Sequence, residues 1–238
     1  MSKAEELLDI ANKTNLADDF VKAGNHLVIE KKYTLAGEAF ENAGHIHLIN
    51  NRKYEGACLF VKAVDYYDKD KKYNVARDLL NVAITIYLED GKLSTAAKQL
   101  EKLGEVYYNN KQIPLAIESY KKSCKWYCLD NSKDTGYGIL YKAVELAINS
   151  EQYAEAISLL TQIDKHYESN QIAELKRKKV FLEISILKLY SLDECEPYLL
   201  TQECYKSTRE YELISNLIES LDRRDKQQFG KSMFIYLS

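Results

Sequence analysis

The chain has 238 residues, 46% of them hydrophobic, which is enough to bury a large core. Thirty-three basic against 36 acidic residues leave a formal charge of -3, so no global field argues for nucleic acid or a strongly anionic membrane. The N-terminal stretch is charged (Lys3, Glu5, Glu6) and lacks the apolar segment of a signal peptide, and no apolar run is long enough to span a bilayer, so a soluble cytoplasmic protein is expected.

Only two prolines and nine glycines interrupt the chain, which suits a nearly all-helical protein. Apolar periodicity predicts helices near 3–13, 16–30, 33–49, 53–68, 72–88, 92–108, 112–128, 135–149, 152–167, 170–190, 194–206, 208–221 and 225–237. Six of these carry one pattern, a bulky residue, Ala three on, and a bulky residue four further. It reads Tyr33/Ala36/Phe40, Tyr54/Ala57/Val61, Tyr73/Ala76/Leu80, Leu93/Ala96/Leu100, Ile113/Ala116/Tyr120 and Tyr153/Ala156/Leu160. Offsets of three and four share one helix face, and the small Ala lets a neighbouring helix approach. A unit this short buries its apolar face only against copies of itself, so the repeat predicts a helical solenoid.

Short polar clusters precede each repeat, as helix–helix corners require: residues 30–32, 50–53, 68–71, 89–91, 109–111 and 149–151. Gly91 is placed as a helix C-terminal glycine, and Pro114 falls in a first turn, where a missing N–H costs little. The segment Asp130–Gly138 is the longest polar interruption and is expected to reset the spacing before Tyr153. Beyond about residue 168 the Ala pattern stops. Lys176–Lys179 leads into the apolar stretch Val180–Leu189, and Pro197 opens or kinks the next element. The expected architecture is all-α, a right-handed helical-hairpin solenoid over 1–168 continuous with a capping helical bundle over 169–238.

Residues that carry chemistry are sparse. Cys58, Cys124, Cys128, Cys195 and Cys204 match no zinc or redox spacing and read as reduced thiols, with Cys124 and Cys128 one turn apart on a buried stripe. His45 and His47 are two apart, and His26 and His166 are scattered, so no metal site is expected. Without a phosphate loop, nucleophile elbow or paired-carboxylate arrangement, neither an enzyme nor a cofactor is expected. Lys69, Lys92, Lys98 and Lys142 fall at corners or off the Ala stripe, where periodicity alone reads them as solubilising charges.

A repeat of about twenty residues per helix with a Tyr-x-x-Ala signature resembles the tetratricopeptide (TPR) class. A narrower resemblance rests on Ala36–His47, Ala83–Tyr87 with Gly91 and Lys92, Ala96–Lys98, Glu105–Tyr107, Ala116–Tyr120, Glu151–Ile157 and Ser207–Glu210. In order and spacing these resemble the soluble NSF attachment proteins (SNAPs) of alpha and gamma type, from about residue 17 to the end. That resemblance implies a non-enzymatic adaptor of vesicle fusion and intracellular transport. Such an adaptor lies along the four-helix SNARE bundle (syntaxin-type) and recruits the AAA ATPase NSF, which pulls the bundle apart. It also implies that Lys69, Lys92, Lys98 and Lys142 form a concave basic face towards acidic SNARE surface, while Gly138 stands where the family has a lysine. Two departures carry expectations. Met1–Leu16 has no aromatic residue, so only peripheral membrane contact is expected, and the chain ends at Ser238, short of the family's ATPase-stimulating end, so impaired stimulation is expected. The rival reading is a TPR-like protein–protein scaffold unrelated to SNAREs.

Overall fold

The computed structural model describes residues 2–168, 174–191 and 205–237, and among these every regular element is helical. In chain order they are α1 (Lys3–Thr14), α2 (Ala17–Ile29), α3 (Tyr33–Ile49), α4 (Lys53–Lys69), α5 (Tyr73–Glu89), α6 (Leu93–Asn109), α7 (Ile113–Leu129), α8 (Lys133–Asn149), α9 (Tyr153–Glu168), α10 (Glu174–Tyr190), α11 (Arg209–Asp222) and α12 (Lys226–Leu237). Pro197, Cys195, Cys204 and the helix expected near 194–206 lie outside the described residues, except the last two positions of that range. The chain divides into two compact units, Met1–Lys142 and Ala143–Ser238.

In the first unit α1 to α7 each pack on the next helix, forming a solenoid. Its regularity comes from the corners. At each one a residue takes the left-handed conformation: Lys31, Asn51, Lys71, Gly91, Lys111 and Asn131, with Glu151 continuing the series after α8. Around each the same two bonds recur. At the first corner Lys31 N–H donates to Val28 O and Lys32 N–H to Leu27 O; at the third, Lys71 N–H donates to Asp68 O and Lys72 N–H to Tyr67 O. This is the Schellman arrangement, which satisfies the last carbonyls of a helix. The residue that closes one helix starts the next, so Ala36 N–H donates to Lys32 O and Ala76 N–H to Lys72 O. Side chains reinforce some corners: Thr34 N–H and Oγ1 both donate to Asp70 Oδ2 at 2.7 Å.

The interruption expected at Asp130–Gly138 does not occur. α8 starts at Lys133, one twenty-residue step after α7, so the spacing is never reset. Its fourth residue is Gly136, and the same slot in α3 to α7 and in α9 holds Ala36, Gly56, Ala76, Ala96, Ala116 and Ala156, all buried. The Tyr54/Ala57 reading was therefore one residue out of register, the slot being Gly56. Both glycines mark close backbone approach: a Cβ on Gly56 would stand 3.0 Å from Gly44 O, and one on Gly136 2.9 Å from Cys124 O. Close packing at this slot outweighs the weak helix propensity of glycine.

A second register explains the core. Gly24, Gly44 and Gly104 each sit under an aromatic ring sixteen residues on, namely Phe40, Phe60 and Tyr120. Where the first position holds Val64, Ile84 or Cys124, the second holds Leu80, Leu100 or Leu140. A large residue faces a missing side chain and a medium one faces a medium one, so each layer fills at interior density. In the second unit Phe181 of α10, Tyr205 just ahead of α11, and Leu213, Ile214 and Leu217 of α11 form a core, with Phe181 stacked on Tyr205 at 4.5 Å.

Candidate functional site

A column of lysines runs along the even-numbered helices α4, α6 and the first part of α8. Lys62, Lys102 and Lys142 recur every forty residues, one hairpin apart, and each reaches back to the preceding even helix. Lys62 Nζ donates to Asn25 Oδ1 at 3.0 Å and stands 4.1 Å over the Phe40 ring, where burial holds its pKa below the usual lysine value. Lys102 Nζ donates to Val61 O at 3.0 Å and pairs with Asp65 at 2.5 Å. Lys142 Nζ pairs with Glu101 at 2.7 Å and Glu105 at 3.1 Å. Burial alone would lower the Lys142 pKa, but hydrogen bonds to the two carboxylates outweigh it and hold the ammonium charged.

Between α4 and α6 runs an open groove of about 800 Å³, lined by Val61, Asp65, Ser94, Lys98, Lys102 and Glu105 among others. A second hollow of about 450 Å³ continues towards Asp68, Lys69 and Asn109 at the C-terminal ends of the same helices. The four lysines singled out in the sequence are all on this unit's surface but not in one environment. Lys98 lines the groove, is exposed, and has no ion pair among the described residues. Lys69 lines the adjoining hollow, with its ammonium 5.1 Å over Tyr33 and 5.3 Å over Tyr66. Lys142 is fixed between Glu101 and Glu105, both of which it reaches from α8. Lys92 sits at the opposite, N-terminal end of α6, paired with Asp90 at 2.7 Å and 3.7 Å over the Tyr54 ring. Its bond to Asp90 raises its pKa.

Periodicity missed Lys62, Lys102 and the carboxylates Asp65, Glu101 and Glu105. A forty-residue spacing of lysines was the available signal, and it is visible only once the hairpin is taken as the unit. Among the described residues no group of three or more His, Cys, Asp or Glu is placed to hold a metal, and no helix is long and apolar enough to cross a membrane.

Stacked helices presenting a charged groove define a helical-repeat solenoid. Solved structures agree on the fold. TPR-like repeats of a kinesin light chain from Podospora anserina match with TM-score 0.51 at 13% identity, covering 83% of this chain and 94% of that one. Aspartyl phosphate phosphatase F from Bacillus subtilis matches with TM-score 0.51 at 17% identity, covering 96% of this chain and 63% of that one. A search of curated proteins finds no match. The family is given by sequence: the model described as "Soluble NSF attachment protein, SNAP" matches residues 10–237. The chain belongs to the soluble NSF attachment protein family.

Proposed function

We propose that this chain is an adaptor that binds syntaxin-type SNARE four-helix bundles and links them to an NSF-type AAA ATPase, acting in the cytoplasm and peripherally on membranes. The observation that carries this reading is the family match over residues 10–237. The groove between α4 and α6 supports it, because adjoining hollows lined by Lys98 and Lys69 offer a partner helix two cationic contacts. Chemistry in this scheme belongs to the ATPase, and the adaptor supplies position. Exposed ammonium–carboxylate pairs contribute about 0.2–1 kcal/mol each, so binding needs several and weakens with salt.

The test is retention of an assembled syntaxin-type SNARE bundle on the immobilised chain at about 50 and 300 mM salt, with screening decisive across that range. Retention at low salt that falls at high salt, and falls further in Lys98→Glu, is expected. A bundle that is not retained at either salt would sink the reading in favour of a TPR-like scaffold with another partner.

A further inference from the structure

The α4–α6 face differs from a uniformly basic surface. Three carboxylates, Asp65, Glu101 and Glu105, are met there by two ammonium groups, Lys102 and Lys142. Lys102 is taken up by Asp65 and by the Val61 carbonyl, and its side chain is only 23% exposed. Lys142 is shared between Glu101, whose side chain is 22% exposed, and Glu105, whose side chain is 52% exposed. Asp65, with its own ammonium, is 56% exposed, and on α6 two further groups face a partner. One is Lys98, an exposed cation with no ion pair among the described residues. The other is Glu105, the outer carboxylate of a pair that has one ammonium between them.

Both line the same groove from the same helix. Seven residues separate them, two helical turns or about 10.5 Å along the axis. A helix lying along the groove presents its own residues at that spacing. A uniformly acidic helix would place a carboxylate against Glu105 and Asp65, which costs free energy at short range. We propose, resting on the adaptor reading above, that the groove selects a partner helix bearing opposite charges two turns apart, the acidic residue meeting Lys98 and the basic residue meeting Glu105. In this arrangement Lys142 and Lys102 position the carboxylates and do not themselves touch the partner.

The sign of one substitution separates this from a simple basic face. Affinity of the whole chain for an assembled syntaxin-type SNARE bundle is measured for the wild type, Lys98→Glu, Glu105→Gln and Glu105→Lys, each checked for native helicity by circular dichroism. A purely acid-reading face binds tighter when Glu105 is neutralised or made basic. The mixed groove binds more weakly, about two- to fivefold for Lys98→Glu and for Glu105→Gln, and further for Glu105→Lys. Glu105→Gln keeps the side-chain shape and serves if the lysine variant loses helicity. A wild type that binds, with Glu105→Gln equal to it or tighter, overturns the mixed-charge groove and leaves the adaptor reading standing. A wild type that does not bind the bundle overturns both.

Discussion

Gly44 and Phe60 are the sharpest case of residue-level fit, since a Cβ at Gly44 would lie 2.6 Å from the Phe60 ring, and Phe60 is fully buried. Such a contact cannot be accommodated without moving the ring or the helix. Twenty residues later Val64 and Leu80 hold the equivalent positions, both fully buried, so the same layer accepts either division of volume. Gly44→Val alone is expected to destabilise by about 1–3 kcal/mol through overpacking, and Phe60→Leu alone by about 1–2 kcal/mol through the space it leaves. The double variant copies the Val64/Leu80 layer and is expected to recover about 1 kcal/mol relative to the sum, the coupling typical of residues in contact. Urea denaturation of the four proteins measures this, and additivity would show that the two positions do not share a layer. The charged partners follow another logic. Asp65 and Glu105 each lie thirty-seven residues before their lysine, so no local periodicity exposes them.

At the scale of the element, the corner is the repeating device. Six corner residues other than glycine hold φ between 57° and 62° in the α2–α9 series, and Gly91 holds 69°. Only glycine adopts this conformation without steric cost. A Cβ on Gly91 would meet no atom within 4 Å, so a substitution there reads the backbone cost alone. Gly91→Ala is expected to lower stability by about 1 kcal/mol, and Lys111→Gly, at the same station one helix on, to raise it by about 0.5–1 kcal/mol. Thermal midpoints moving in opposite directions are the readout, and Lys111→Gly leaving the midpoint unchanged would mean that its corner is held by something other than backbone geometry. These corners explain what was legible. Polar clusters such as Asn109–Lys111 announced them, and the helices between followed from apolar spacing. α8 was misjudged because Gly136 and Gly138 look like breakers locally. Gly136 is instead demanded by the Cys124 carbonyl beneath it, a tertiary requirement that no window of residues contains.

Over the whole molecule the nineteen tyrosines set a limit on the alkaline side. Burial is the first cause that raises the phenols of Tyr67, Tyr87 and Tyr120 above their ordinary value near 10. The bond from Tyr67 to Glu41 at 2.6 Å and the contact of Tyr87 with Cys58 at 3.5 Å add to it. Tyr120 is pushed up to about 12, and the Cys124 thiol rises from 9.0 to about 12, again first through burial. In each case the folded state keeps a proton that the unfolded chain releases at lower pH. Their contribution to stability is therefore complete below pH 9 and falls as pH rises, first through Cys124 and then, above pH 10, through the tyrosines. Lys142 acts in the same direction, since its raised pKa means that the folded state also holds its proton longer. The urea midpoint is thus expected to be level from about pH 7 to 9 and to drop steadily from about pH 10 to 12. Tyr120→Phe, which cannot ionise and keeps the ring over Gly104, should flatten that drop while leaving the stability near neutrality within about 1 kcal/mol of the wild type. A midpoint that stays level up to pH 12 would show that these groups are reached by water in the folded state, and an equal drop in Tyr120→Phe would show the same of Tyr120 alone.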